Sequence, residues 1–242
     1  DGPWSVVGHS LGGATSLDLL PLEPRIEILA ALEPVTSSVA THTFLKTWTG
    51  AALFVAGSED TVAAADNVAE WWLDAESAPR SAFLLILGGG HRGVTDTMDP
   101  GGSLPHDDQR RLHERAVSGF LLAERYGQED RYGDLLGVGA APEPLLSWAR
   151  CPDPAAWLVP DGGDFVVGVA GSPSVWLGIA SSSATGTLRT PVGTLNLSVV
   201  GLAPLWVGSP ENGVAEVRVT GGAASYAQGV TGGASTRVLD IP

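Results

Sequence analysis

A chain of 242 residues is long enough for one large domain or two smaller ones, and 44% apolar with 17% charged residues is the make-up of a folded globular protein rather than a disordered one. The 13 basic residues against 27 acidic ones leave a net charge of −14, with no Lys/Arg cluster and a single lysine, Lys46. Such a surface repels phosphate backbones and anionic lipid headgroups and argues against nucleic-acid or membrane partners. The lone cysteine, Cys151, excludes an intrachain disulfide framework and a Cys-based zinc site. No apolar run reaches the about 18 residues of a spanning helix.

In chain order, Trp4 to Gly8 is a short apolar run that predicts a strand, and the small-residue stretch Gly12 to Leu20 predicts a helix behind it. A second strand is expected at Ile26 to Leu32, followed by a loop, THTFLKTW, that holds His42 and Trp48. A third strand at Ala51 to Ala56 leads to a helix over Ala63 to Ala75 with the pair Trp71-Trp72, and a fourth strand at Ala82 to Leu87 follows. The four strands are near-continuous apolar runs, as in parallel sheets buried on both faces. A long helix over Asp107 to Tyr126 carries Leu112, Ala116, Phe120 and Ala123 at three- and four-residue spacing. Strand and helix in alternation predict an α/β fold, a parallel sheet with flanking helices.

Beyond Pro142 the helical spacing ends. Short runs such as FVVGVA, LNLSVV and AEVRVT alternate with Gly, Ser, Pro and Asn clusters, which predicts a small all-β sandwich. The expected organisation is an α/β domain over residues 1–136, a Pro/Gly-rich linker over 137–150 and a β-sandwich accessory domain over 151–242.

The chemistry-bearing stretch is GHSLGG, set between the apolar strand WSVVG and a small-residue helix start. Glycines around Ser10 permit a sharp strand-to-helix turn that projects the hydroxyl, with the main-chain N–H of Leu11 placed to receive a developing oxyanion. A serine nucleophile needs a general base, and the base an orienting carboxylate. The strand ALFVA is followed by GSEDTV with Asp60, and the strand AFLLIL by GGGHRG with His91. Serine, acid and histidine thus occur in order, each just after its own strand. Glu33, at the end of ALEPV, is the rival acid, whereas Glu59 reads as solvated. His106 and His113 read as surface positions, and His9 as a packing or substrate-side residue. The acidic stretches HRGVTDTMDP and LPHDDQ repeat no ligand spacing and predict no metal site.

On VVGHSLGGATSL, LFVAGSEDTV and LILGGGHRG, residues 4 to about 126 resemble the C-terminal half of an α/β-hydrolase of the dienelactone hydrolase and polyester hydrolase (cutinase-like) group. The resemblance implies Ser10 as nucleophile, Asp60 as orienting acid and His91 as general base. It implies acyl transfer to water through an acyl-enzyme, without metal or organic cofactor. It also implies further strands, and a second oxyanion donor, ahead of a chain that starts at Asp1 with no signal-peptide pattern. The expectation is a chain whose first strand is an open hydrophobic edge, completed by a preceding segment or by a second chain, and weakly stable or inactive alone. The short stretch between the second and third strands leaves no room for a helical cap, so an open cleft for extended or polymeric esters is expected. His42 and Trp48 are expected to line it, with Trp71 and Trp72 either beside them or in the core.

In the C-terminal part, Trp157, Trp176 and Trp206 are expected to be core residues or, if exposed, contacts for a polymer or carbohydrate. DGGD at 161–164 reads as a tight turn. The appendage and the acidic surface point to a secreted or cell-surface protein that acts on ester or polymer substrates. Two other functions fit parts of the pattern: a serine peptidase of the prolyl oligopeptidase type, and a binding or adhesion protein that keeps a hydrolase remnant.

Overall fold

In the computed structural model, the residues described are 4–36, 38–97, 101–136, 144–161, 164–171, 177–182, 185–190, 193–197, 203–208, 212–220, 226–231, 234–236 and 239–240. The chain divides into two compact units, one of Asp1–Gly127 with Ala141–Ser147, the other of Gln128–Ala140 with Trp148–Pro242.

The first unit is an α/β layer built from β1 (Trp4–His9), α1 (Leu11–Leu19), β2 (Ile26–Leu32), α2 (Val39–Leu45), β3 (Ala51–Gly57), α3 (Ala65–Asp74), β4 (Ser81–Ile86) and α4 (His106–Tyr126). The strands run in the order β1-β2-β3-β4, all neighbours parallel, and β5 (Leu145–Arg150) joins beyond β4. The apolar runs become the middle of the sheet for a simple reason. Leu29, Ala30, Leu53, Phe54, Val55 and Leu84 lose all contact with water, and each large side chain buried this way contributes on the order of 1.5–3 kcal/mol. Helix α1 packs on β1 and β2, α3 on β3 and β4, and α4 on β2 and β3.

Three features differ from the sequence expectation. The loop that holds His42 contains α2, whose N-cap Ser38 accepts a hydrogen bond from the Thr41 N–H. The region read as a linker contains β5, so only its first part connects elements. A short helix, α5 (Arg131–Leu136), lies at the end of the segment assigned to the α/β domain but belongs to the second unit, where it packs on the strand Ala155–Asp161.

That second unit is all-β apart from α5. Its strands are β6 (Ala155–Asp161), β7 (Asp164–Ala170), β8 (Leu177–Ser182), β9 (Thr185–Thr190), β10 (Gly193–Leu197), β11 (Ala203–Gly208), β12 (Val214–Thr220), β13 (Tyr226–Thr231), β14 (Ala234–Ser235) and β15 (Leu239–Asp240). An antiparallel sheet β12-β7-β6 supplies Ala156, Val167, Val169, Ala215 and Val219 to a core shared with Ala227 of β13 and Leu239 of β15. Strand β13 belongs to a second sheet, β11-β8-β13-β14, so the core is that of a β-sandwich. Trp157 is fully buried and its indole N–H donates to Glu216 at 3.1 Å, which makes it a core residue. Trp176 lies outside the described residues, and Trp206 falls on β11. Of DGGD, Asp161 and Asp164 pair at the end of the β6–β7 hairpin, and the Asp164 carboxylate lies 3.7 Å from the Arg218 guanidinium. Among the described residues, no helix is long and apolar enough to cross a membrane.

Candidate active site

The turn from β1 into α1 is forced tight at Ser10, whose φ of 55° and ψ of −121° lie outside the regions a serine favours. Gly8 permits it: a Cβ there would stand 2.3 Å from the Gly12 carbonyl oxygen, so any side chain would push strand and helix apart. A Cβ at Gly12, by contrast, would meet nothing. The Ser10 N–H is taken by the Leu32 carbonyl at 2.9 Å. The Leu11 N–H, in the first turn of α1, has no intrahelical acceptor available to it.

From this turn the Ser10 Oγ lies 2.7 Å from His91 Nε2, and His91 Nδ1 lies 2.8 Å from Asp60 Oδ2. Ser10 follows β1, Asp60 follows β3 and His91 follows β4, so parallel strands deliver all three to one end of the sheet. Asp60 is held in place by its other oxygen, which accepts the N–H groups of Val62 at 2.7 Å and Ala63 at 2.9 Å. The His91 loop fits because it is glycine-built: a Cβ on Gly90 would stand 2.2 Å from the Gly101 backbone. Strand, sharp turn at serine, helix, then acid and histidine on later strand ends is the order of an α/β-hydrolase fold.

Glu33, the rival acid, does not reach His91. It follows β2 with a φ of 45°, is wholly buried, and lies between two other histidines. Its Oε1 is 3.0 Å from His113 Nε2 and its Oε2 is 3.2 Å from His9 Nε2. Burial alone would raise the Glu33 pKa, but the hydrogen bond with His113 and the charge of His113 and His9 outweigh it and hold the carboxyl below its ordinary range. Burial likewise works against a charged His9. The hydrogen bond to the His91 carbonyl and the nearby carboxylates of Glu33 and Asp60 prevail and raise it.

His113 was read as a surface residue, and it is fully buried on the inner side of α4, together with Gln109. Both fall on the three- and four-residue stripe of Leu112, Ala116, Phe120 and Ala123. A polar residue at a stripe position was the signal available in the sequence. Gln109 accepts the Gly90 N–H at 3.0 Å and donates to the carbonyls of Gly101 at 3.1 Å and Leu104 at 2.6 Å, bracing the His91 loop. His106 is half-buried at the start of α4, 2.6 Å from the Thr95 carbonyl, and Glu59 is exposed and accepts a hydrogen bond from Ser103.

His42 and Trp48 do not line the site. Helix α2 leads from the end of β2 back to the start of β3, as any crossover between parallel strands must, and carries both away from Ser10. His42 stacks flat on Trp71, with ring centroids 3.5 Å apart, and pairs through Nδ1 with Asp74 of α3. Trp48 is buried and borders a cavity of about 600 Å³ with Ile26, Ile28, Ala51 and Pro79, at the starting ends of the strands. Trp71 and Trp72 are buried against the sheet. Large apolar side chains do stand exposed in the segments that follow the strands: Leu11 after β1, Val39 after β2 and Val62 after β3.

Among the described residues, His9, Glu33 and His91 have ligand-type atoms within 4.8 Å of one another. A metal held there would take one ring nitrogen of His91, and with it the contact to Ser10 or to Asp60 that this nitrogen makes.

No protein-family model matches the chain, and no curated protein does. Among solved structures the chain is similar to a "predicted CIB-like hydrolase from Thermoplasma acidophilum", with 18% identity and a TM-score of 0.37 over 46% of this chain and 49% of that one. The match thus spans about half the length of that structure.

Proposed function

We propose that this chain carries the serine, histidine and acid of a hydrolase that cleaves carboxylic esters through an acyl-enzyme. The observation that carries the reading is the unbroken hydrogen-bond path from Ser10 through His91 to Asp60, started from a strained turn at the serine. In the forward step, Ser10 Oγ attacks the ester carbonyl carbon while His91 Nε2 accepts the hydroxyl proton. Asp60 keeps the other ring proton on Nδ1 and faces the imidazolium as it forms. The carbonyl oxygen becomes an oxyanion received by the Leu11 N–H at the positive end of α1. As the carbon–oxygen bond breaks, His91 returns its proton to the leaving alcohol. Water, deprotonated by the same imidazole, then attacks the acyl-serine, and the carboxylic acid departs as Ser10 regains its proton. The exposed apolar side chains of Leu11, Val39 and Val62 support an apolar, extended acyl or polyester substrate over a small polar one.

A fluorophosphonate probe tests this directly. The parent chain is expected to be labelled, and both Ser10→Ala and His91→Ala to abolish labelling while they retain the parent's far-UV spectrum. A folded parent that stays unlabelled, or a Ser10→Ala variant that still reacts, overturns the reading.

A further inference from the structure

The ester hydrolase reading uses Ser10, His91 and Asp60 and leaves unexplained why a wholly buried carboxylate stands between two histidines beneath them. His113 Nδ1 lies 2.8 Å from the Gln109 main-chain carbonyl, an acceptor only, so that nitrogen carries a proton. Its Nε2 faces Glu33 Oε1 at 3.0 Å, so α4 and the end of β2 are tied by a buried histidine–carboxylate contact. On the other side of Glu33, His9 Nε2 lies 2.7 Å from the main-chain carbonyl oxygen of His91, which again only accepts. The His9 proton is therefore directed at the backbone of His91, with the Glu33 Oε2 at 3.2 Å behind it. The rings of His9 and His91 stand 5.0 Å apart.

His9 directly precedes Ser10, so this bond joins the serine turn to the histidine loop by a path separate from the Ser10–His91 hydrogen bond itself. Gln109, on the same face of α4 as His113, holds the preceding residue of that loop through the Gly90 N–H. The loop is thus gripped on both sides of His91. Glu33 keeps its strained φ of 45° while it makes these contacts, as expected where the surroundings over-determine a residue.

We infer that His9, braced by the buried Glu33–His113 pair, is a positioning residue that holds the His91 main chain so that its imidazole stays between Asp60 and Ser10. The inference rests on the reading of Ser10 as nucleophile, and acts on the geometry of proton transfer rather than on substrate binding. A displacement of about 1 Å at such a group costs on the order of a hundredfold in rate.

The test compares His9→Leu, which removes the donor, with His9→Gln, which offers an amide N–H to the same carbonyl. The full chain is used, and the rate of fluorophosphonate labelling, the melting temperature and the proton NMR signal of the His91 Nδ1–H are read together. His9→Leu is expected to label about tenfold to a hundredfold more slowly at saturating probe, with half-saturation little changed and the Nδ1–H signal broadened or lost. His9→Gln is expected to recover most of the rate and the signal at a similar melting temperature. Glu33→Gln should fall between them. The proposal is overturned if His9→Leu labels at the parent's rate with its signal intact. It is equally overturned if His9→Leu and His9→Gln lose rate alike in step with their melting temperatures. Should the parent itself not react, the hydrolase reading fails, and the NMR comparison of the two variants still decides the positioning role.

Discussion

Ser10 and Glu33 both hold a positive φ that neither residue type favours, at the ends of neighbouring parallel strands. A positive φ is costly for a non-glycine residue, so each is held there by its surroundings. For Glu33 those surroundings are electrostatic and carry a pH signature. Its pKa in the folded chain lies below the ordinary 4.5, so its stabilising contribution is complete above that value and fades as pH falls through the depressed one. The His9 pKa lies above the ordinary 6.5, so its contribution is complete below that value and fades as pH rises through the raised one. The difference in melting temperature between parent and Glu33→Gln is therefore expected to be greatest between these two ordinary values and to shrink on both sides. Thermal melts across pH check this, and a difference that stays constant with pH would sink it. The meeting of Ser10, Asp60 and His91 at one end of the sheet was legible in the sequence because each follows a short apolar run of strand length. The Glu33–His9–His113 contacts were not, because they join the ends of two strands and the inner face of α4, which only the folded chain brings together.

At the scale of elements, β1 differs from its neighbours. Where β2 and β3 are buried almost throughout, β1 forms the edge of the sheet and leaves Trp4 46% and Val7 44% exposed. The Arg25 guanidinium covers the Trp4 ring at 3.7 Å, and an exposed edge strand is in general a template for pairing between chains. Val7→Lys, a charge of the kind that blunts edge strands, is expected to reduce concentration-dependent light scattering and leave Ser10 labelling unchanged. Scattering equal to that of the parent would show that this edge does not drive association. The four strands from β1 to β4 and the long α4 were readable from period and apolar content. Helix α2 was not, since VATHTFL is short and rich in β-branched residues that weaken helical preference. Strand β5 escaped for the opposite reason: LLSWAR is brief, follows a Pro/Gly-rich stretch and owes its place to an existing sheet edge rather than to its own pattern.

For the whole chain, the change in spacing near Pro142 announced two kinds of architecture, and two compact units are found. The all-β unit rests on close packing at one point. A Cβ on Gly168 would stand 1.9 Å from the Trp157 ring, which is itself fully enclosed. Gly168→Ala is expected to destabilise that unit by about 1–3 kcal/mol, seen as an earlier unfolding transition in tryptophan fluorescence, with labelling of Ser10 at the parent's rate. An unchanged transition would mean that Trp157 has room to move.

The Lys46 ammonium stands 3.5 Å from the Asp74 carboxylate yet remains half open to solvent. It follows α2, on the side of the sheet where the strands begin, and it is the one lysine in the sequence. Amine-directed coupling, which on most proteins gives random attachment, therefore has one side-chain handle here. A bead or dye tethered through it attaches at the end of the sheet opposite the one that carries Ser10.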